Sequence, residues 1–190
     1  IEKIHNKSDF YIIVIDDGSS AECQDIFAQA EDFATVLHHQ VNQGKGQALK
    51  TAFEYIQSLN KPGTVVTADA DGQHRIWDIF RNMTKSIENP NTLVLGVRAF
   101  TGKVPLRSRF GNSLTRILFK LQTGVAVSDT QTGLRAFSTD MIPFMLKIEG
   151  QRYEYEMNML LEVSQAYPIL EVPIEKIGRA HVWTPVTRFH

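Results

Sequence analysis

Residues 64–74 read T-V-V-T-A-D-A-D-G-Q-H, an apolar run that ends in two carboxylates and a glycine. A short, uninterrupted apolar run is typical of a strand buried on both faces of a parallel sheet. Residues 10–16, F-Y-I-I-V-I-D, have the same form and also end in acid. Because ligands of parallel α/β sheets bind beyond the carboxyl ends of the strands, both acidic ends are expected at a binding cleft.

Helical patterns separate these strands. Residues 46–59 place apolar side chains at helical spacing before the turn N-K-P-G, and residues 21–33 and 76–87 are further helix candidates. This alternation is typical of βαβ units and predicts an α/β fold with a mostly parallel central sheet and helices on both faces. The other predicted elements are strands at 35–39, 92–97, 134–137 and 169–174, helices at 106–121 and 153–165, and a polar loop at 128–133.

The composition limits the function. The 190 residues fit one domain, and the net charge of -1 argues against a dedicated nucleic-acid-binding protein, so no nucleic-acid partner is expected. Cys23 is the single cysteine, which excludes a disulfide framework and a thiolate metal site and suits a reducing, cytoplasmic location. No apolar run approaches the roughly 20 residues of a membrane span, and residues 1–9 do not resemble a signal peptide.

The strongest chemical signal is the acidic box, residues 69–74 (D-A-D-G-Q-H). Asp69 and Asp71 stand two residues apart at a strand end, so both can hold a hard divalent cation, Mg²⁺ or Mn²⁺, that bridges the phosphates of a substrate. Such a cation offsets the charge that develops on a departing diphosphate. The alternative is an acidic turn that caps the next helix. His74 adjoins the box and is a weaker candidate for a phosphate contact.

A second acidic segment, D-D-G-S-S at residues 16–20, is a candidate for a nucleotide site. Its carboxylates can accept hydrogen bonds from a base or a ribose, and Gly18 allows close approach of the backbone. The alternative is a helix N-cap, which Ser19 or Ser20 would provide. Both functions are compatible with one segment.

Basic residues mark candidate phosphate sites. Residues 42–48, N-Q-G-K-G-Q-A, combine two glycines and Lys45 before a helix, which favours anion binding although the spacing is not that of a P-loop. Further cations precede the polar loop, where a phosphate-bearing acceptor would need them; an exposed amphipathic face is the alternative for each. They are Lys103, Arg107, Arg109 and Arg116. His38 and His39 end a strand and are expected to be structural or exposed.

Six motifs in this order resemble the family 2 glycosyltransferases of the GT-A fold, particularly the branch that transfers mannose or glucose to dolichol or undecaprenyl phosphate. They are V-I-D-D-G-S (14–19), N-Q-G-K-G-Q-A-L (42–49), D-A-D-G-Q-H (69–74), G-V-R (96–98), D-T-Q-T-G-L-R-A-F (129–137) and R-Y-E-Y-E-M (152–157). The likeness extends over about residues 10–174. It implies a Rossmann-like, three-layer α/β sandwich.

The resemblance also implies roles for the matching residues. It implies donor binding by Asp16, Asp17, Gly18, Lys45, Asp69 and Arg98. It implies metal ligation by Asp69, Asp71 and Gln73, and acceptor binding by Arg107, Arg109, Gln131 and Arg135. The expected catalytic residues are Asp71, Asp129 and Arg135. Because a phosphate acceptor is already anionic, Asp129 is not required to act as a general base.

Both ends of the chain depart from the family pattern. The family opens with a strand and a P-x-Y-N-E-like segment, and neither precedes residue 10, so we expect a catalytic domain at residues 1–176 that lacks its first strand. From residue 177 the chain reads I-G-R-A-H-V-W-T-P-V-T, without any periodicity. We interpret residues 177–190 as a non-native tail that resembles a translated sequencing adapter.

The sequence therefore predicts metal-dependent transfer of a hexose from a UDP- or GDP-linked sugar to a polyprenyl phosphate at the cytoplasmic face of the membrane. One alternative is a family 2 transferase that acts on a glycan acceptor. Another is a non-catalytic domain that binds a nucleotide sugar or serves as a scaffold. A sugar nucleotidyltransferase is disfavoured because no G-x-G-T-R-type loop is present. The sequence is compatible with a homo-oligomer and does not identify the sugar.

Overall fold

The computed structural model describes residues 10–98, 119–121 and 123–174. Its strands are β1 (Ile13–Asp16), β2 (Thr35–His38), β3 (Thr64–Thr67), β4 (Leu93–Arg98), β5 (Arg135–Ser138) and β6 (Ile169–Ile174). Its helices are α1 (Gln24–Glu31), α2 (Lys45–Ser58), α3 (Ile76–Glu88), α4 (Ile142–Met145) and α5 (Glu154–Ala166), with 3₁₀ turns at Ala21–Cys23 and Thr139–Met141. The first of two units comprises Ile1–Pro62 and Thr139–Glu162, and the second Gly63–Ser138 and Val163–His190.

The first unit contains a parallel strand pair. β1 pairs with β2 in a register that places Asp16 opposite His38. α1 connects the two strands in sequence, as the alternating pattern predicts. The hydrogen bonds between β1 and β2 therefore hold Asp16, at the acidic end of β1, beside His38.

Helices form the buried core of the same unit. Phe53 on α2, together with Ile142 and Met145 on α4, is almost fully buried. Tyr155 at the start of α5 is also buried, and its hydroxyl donates a hydrogen bond to the carbonyl of Met145 at 2.8 Å. Gly46 allows α2 to approach α5, because a Cβ at this position would lie 2.5 Å from the Cβ of Tyr155.

The second unit contains a four-stranded sheet of order β3-β5-β4-β6. β4 and β6 are parallel, whereas β5 runs antiparallel to both of its neighbours, β3 and β4. Val94, Ala136 and Val172 form a buried cluster on adjacent strands. Three of the four strands thus run in one direction, and the expected α/β class with mostly parallel strands is confirmed.

Helix α3 packs on this sheet through an unexpected face. Its buried residues are Asp78, Asn82 and Ser86, which are polar and spaced by one turn, whereas Trp77 and Ile87 are 69% and 63% exposed. The Nδ2 group of Asn82 donates to the carbonyl of Asp78 at 2.8 Å, so part of its hydrogen-bonding capacity is satisfied within the helix. A small polar stripe therefore faces the strands, although the helix has a clear apolar stripe.

Most element boundaries agree with the sequence predictions to within about three residues, but two details were wrong. The residues Ile13, Val14 and Ile15 of β1 are only half-buried, so this strand is not buried on both faces. Ser20 precedes the 3₁₀ turn without a side-chain capping hydrogen bond. Most of the helix predicted at 106–121, and the tail at 177–190, lie outside the described residues.

Candidate functional site

The first unit contains a pair of carboxylates at the end of β1. Asp16 is 3% exposed, and it accepts hydrogen bonds from the Ser19 amide at 2.9 Å and from Nδ1 of His38 at 2.9 Å. Burial alone would raise the pKa of this carboxyl, but the bonds from His38 and Ser19 outweigh it and lower the pKa from 3.8 to about 2. Asp16 therefore stabilises the turn after β1, and its predicted role in donor binding stays a prediction.

Asp17 connects the end of β1 to the segment before α2. Its Oδ1 accepts the Gln43 N–H at 2.8 Å and its Oδ2 accepts the Gly44 N–H at 2.8 Å. Nδ1 of His39 lies 2.7 Å from Oδ1. Burial opposes ionisation of Asp17, yet the bonds from Gln43, His39 and Gly44 lower its pKa, so the carboxylate is charged at neutral pH. The structure thus brings two predicted motifs, D-D-G-S and N-Q-G-K-G, into direct contact.

Two glycines make this contact possible. Gly18 has φ +71°, and a Cβ there would lie 2.4 Å from the backbone nitrogen of Asn42. Gly44 has φ +100°, and its Cβ would lie 2.5 Å from Cγ of Arg152. Both positions require the left-handed backbone and the missing side chain that only glycine combines. The glycines of these motifs therefore shape the site rather than only bending the chain.

A cleft of about 390 Å³ opens beside these contacts. It is lined by Asp17, Asn42, Gly44, Lys45, Ala48, Arg152 and Tyr153. Asp17 and Lys45 were predicted as donor-binding residues, and the cleft includes both. Arg152 and Tyr153 were not, although the R-Y-E-Y-E-M motif that contains them was the available signal. Nζ of Lys45 lies 2.8 Å from Oε2 of Glu156, so Lys45 forms an ion pair with a residue of the same motif.

The second unit contains the acidic box, which begins with Asp69. The Asp69 carboxylate is 34% exposed and lies against Gly133, where an added Cβ would be 2.3 Å from Oδ2. The Thr67 hydroxyl donates to the Gly133 carbonyl at 3.0 Å, which fixes β3 to the same loop. The predicted metal motif and the predicted acceptor loop, residues 128–133, therefore meet at this glycine.

The middle of the box, around Asp71, is exposed. Asp71 is exposed, its Oδ1 accepts the Gln73 N–H at 3.1 Å, and the Gln73 side-chain amide also bonds to Oδ2. Gly72 between them has φ +74°. Nε2 of His74 lies 3.9 Å from Oδ2 of Asp69, and among the described residues the buried Nδ1 has no hydrogen-bond partner. The box therefore presents oxygen atoms that a ligand can reach.

The polar loop is mostly buried. Asp129 is 2% exposed, and its Oδ1 accepts the Gln131 N–H at 3.0 Å, while Gln131 itself is exposed. Arg135 is also 2% exposed, and its Nε donates to the carbonyl of Thr132 at 3.0 Å. Among these expected acceptor residues, Gln131 is the one whose side chain reaches the surface of its unit.

Several of the predicted site residues lie outside the part of the chain that the structure describes. The side chain of Arg98, at the end of β4, is outside the described atoms. The four cations that were predicted to bind an acceptor phosphate also lie outside the described residues. They are Lys103, Arg107, Arg109 and Arg116. Within residues 10–98, 119–121 and 123–174, no helix is long and apolar enough to cross a bilayer.

The acidic box fits a hard divalent cation by its chemistry. Asp69 and Asp71 offer carboxylate oxygens, and Gln73 adds an amide oxygen, which is an all-oxygen donor set of the kind that Mg²⁺ and Mn²⁺ take. In the described part of the chain, no three His, Cys, Asp or Glu side chains are grouped closely enough to form a complete protein cage.

The chain is similar in sequence to several known proteins. Residues 1–142 match the sequence profile described as glycosyl transferase family 2. The UDP-N-acetylglucosamine–dolichyl-phosphate N-acetylglucosaminyltransferase of Methanococcus voltae is 28% identical over an alignment of 198 positions, which covers 93% of this chain and 78% of that protein. The undecaprenyl-phosphate 4-deoxy-4-formamido-L-arabinose transferase of Pseudomonas fluorescens is 30% identical over 180 residues, 92% of this chain and 50% of that protein.

A solved structure gives the fold. Glucosyl-3-phosphoglycerate synthase from Mycobacterium tuberculosis, in complex with Mn²⁺, uridine diphosphate and phosphoglyceric acid, superposes with a TM-score of 0.65 at 19% identity. The match covers 91% of this chain and 61% of that one. The chain therefore spans about three fifths of the length of this structure. The likeness identifies the GT-A fold that the sequence resemblance implied.

Proposed function

Because this chain belongs to glycosyl transferase family 2, a family of enzymes that transfer sugars, we propose that it moves a hexose from a nucleotide-diphosphate sugar to a polyprenyl phosphate. The observation that carries the proposal is the contact of Asp69 with Gly133. It joins the box suited to a diphosphate to the loop expected to bind an acceptor. The acceptor class is supported by the names of the two transferases that the chain resembles.

The cleft of the first unit is the proposed nucleotide site. Asp17 provides an ionised acceptor for N–H or O–H groups of the nucleoside, and Lys45 and Arg152 provide cations for phosphate. Tyr153 is 80% exposed, so its ring is free to lie against a planar base. This assignment does not distinguish UDP from GDP by charge, since both carry the same diphosphate.

The acidic box is the proposed site of the divalent cation. Asp69, Asp71 and Gln73 would hold the Mg²⁺ or Mn²⁺ ion, which would stabilise negative charge on the departing nucleoside diphosphate. Because Gly133 has no side chain, the Asp69 carboxylate can occupy the space that a Cβ at this position would fill. The residues of this chain thus bind and orient the donor and its cation. This is the main requirement when the negative charge of the reaction ends on the leaving group.

The acceptor phosphate supplies its own nucleophile. One of its anionic oxygens attacks the anomeric carbon of the sugar, the new carbon–oxygen bond forms, and the bond to the diphosphate breaks with its electron pair leaving on the nucleoside diphosphate. No proton has to be removed, which agrees with a buried Asp129 that is already hydrogen-bonded. We place the reaction at the cytoplasmic face of the membrane, where a polyprenyl phosphate and a soluble nucleotide sugar can meet.

The test is transfer of labelled sugar from a UDP- and GDP-linked donor panel to polyprenyl phosphate, with Mn²⁺ and with chelator. Asp71→Asn should lower kcat/KM by about 10²-fold or more, since it weakens stabilisation of the leaving group. Asp140→Asn alters an exposed carboxylate of a 3₁₀ turn in the first unit and should have no effect. Equal activity of the two variants, or transfer to a glycan or to phosphoglycerate in place of the lipid, would overturn the proposal.

A further inference from the structure

We propose that His39 is a specificity-determining residue that restricts Asp17 to a single hydrogen bond with the donor base, and so favours a uracil-type base over guanine. The inference rests on the proposed function, because it takes the cleft of the first unit as the nucleotide site. His39 has no assigned role in the predicted site. It touches Asp17 rather than the cleft, so it acts by positioning.

The hydrogen bonds of Asp17 can be counted by lone pair. An ionised carboxylate has about four acceptor positions, two on each oxygen. The Gln43 N–H and His39 Nδ1 fill both positions of Oδ1, at 2.8 and 2.7 Å. The Gly44 N–H fills one position of Oδ2 at 2.8 Å. Counting the hydrogen bonds from the described residues, one acceptor position on Oδ2 is left for a ligand, on a side chain that is 19% exposed and lines the cleft.

His39 is held firmly enough to enforce this count. Its side chain is 7% exposed, and its second nitrogen, Nε2, lies 2.9 Å from the hydroxyl of Thr51 on α2. Because a carboxylate only accepts, Nδ1 carries the proton toward Asp17. Rotation of the ring would break both contacts at once. The imidazole therefore fixes the carboxylate plane and occupies the oxygen that would otherwise accept a second ligand bond.

The two bases place different demands on such a carboxylate. Uracil presents one ring N–H between two carbonyl groups, and a single acceptor position satisfies it. Guanine presents a ring N–H and an adjacent amino group, which pair best with two oxygens of one carboxylate. With Oδ1 occupied, one guanine donor would be left unsatisfied, which is typically a loss of about tenfold or more in affinity.

The neighbouring pair, Asp16 and His38, provides a matched control. It has the same chemistry, with Nδ1 of His38 at 2.9 Å from Oδ2 of Asp16. Its second acceptor contact is to the Ser19 amide in the turn after β1, and neither residue lines the cleft. Changing His38 should therefore affect stability without changing the preference between bases.

The experiment is calorimetric titration of UDP and of GDP, each with Mn²⁺, into the purified chain and its variants, with thermal unfolding recorded for each. The wild type should bind UDP at least about tenfold more tightly than GDP. His39→Ala should reduce that ratio to near one, whereas His39→Asn, whose amide nitrogen can replace Nδ1, should keep most of it. His38→Asn should keep all of it. If His39→Ala does not fold, Thr51→Val, which releases the ring on its other side, should reduce the ratio by about threefold.

Each other outcome contradicts the inference. A wild type that binds UDP and GDP equally, or prefers GDP, would refute base selection by Asp17 and leave the proposed transferase function intact. Equal ratios in His39→Ala and His39→Asn would show that the bond from Nδ1 does not determine the preference. Binding of neither nucleotide by the folded chain would reject the nucleotide site and, with it, both proposals. Hydrogen exchange at the Gln43 and Gly44 amides separates these cases, because it reports the hydrogen bonds from these amides to Asp17 in the absence of any nucleotide.

Discussion

Substitution of Gly133 by alanine tests the contact between the acidic box and the acceptor loop. The new Cβ would lie 2.3 Å from Oδ2, 2.5 Å from Cγ and 2.6 Å from Oδ1 of Asp69. An ordinary carbon–oxygen contact is about 3.3–3.6 Å, so the carboxylate has to retreat by about 1 Å. Gly133 does not have a left-handed backbone, which means that the steric contact with Asp69 is the main effect of the change.

The expected result separates stability from activity. All three close atoms belong to the end of a side chain that is 34% exposed, so Asp69 can rotate at a cost of about 0.5–1.5 kcal/mol. A displacement of about 1 Å at a group that positions a substrate typically lowers the rate by about 10²-fold. Gly133→Ala should therefore remain folded and lose most of its kcat/KM.

The assay combines sugar transfer with chemical denaturation. Gly63→Ala is the matched control, because nothing lies within 4 Å of a Cβ at that position in the same unit. It should retain full activity and a free energy of unfolding within about 0.5 kcal/mol of the wild type. Full activity of Gly133→Ala, or a loss of activity that is matched by unfolding, would show that displacement of Asp69 does not limit sugar transfer.

Three further predictions concern the first unit. The free energy of unfolding should fall as the pH drops from about 4 to about 2, because the pKa of Asp16 is lowered to about 2 in the folded chain. The shift allows at most about 2 kcal/mol, exposure of the bonding imidazole reduces this to about 1 kcal/mol, and Asp16→Asn should abolish that part of the pH profile. Tyr155→Phe should cost about 1 kcal/mol in urea denaturation, since it removes the bond to the Met145 carbonyl, and an unchanged midpoint would contradict this. Gly46→Ala should cost about 1–3 kcal/mol, because its Cβ would meet both Tyr155 and the backbone of Gln151; a variant as stable as the wild type would show that α2 can shift.

Apolar runs and turn residues predicted most of the fold. The strands that end at Asp16 and Thr67, and the helices at 45–58 and 76–88, were found close to their predicted positions. The direction of β5 was not accessible in this way, because a four-residue strand has the same pattern whether its neighbours are parallel or antiparallel. The short helix α4 was missed since it is too brief to show a period. The family resemblance is confirmed by the profile match.

The candidate site was predicted by residue type but not by contact. The sequence indicated Asp17 and Lys45, and both line the cleft. It gave no sign that His39 would bond to Asp17, because the two residues are 22 positions apart and meet only through the β1–β2 register. His39 was expected to be structural or exposed, and its side chain is buried. The assigned roles of the metal and acceptor residues remain predictions.

The packing of α3 affects how uniquely the sequence specifies the structure of this unit. The helix has an apolar stripe, yet Asp78, Asn82 and Ser86 face the sheet, where Gly96 leaves room for the Asn82 amide 3.1 Å from its would-be Cβ. Hydrophobic burial alone would favour a different rotation of the same helix. The observed rotation places the Asn82 amide against Gly96 while Trp77 and Ile87 remain mostly exposed, so an added Cβ at position 96 would disfavour this rotation of the helix.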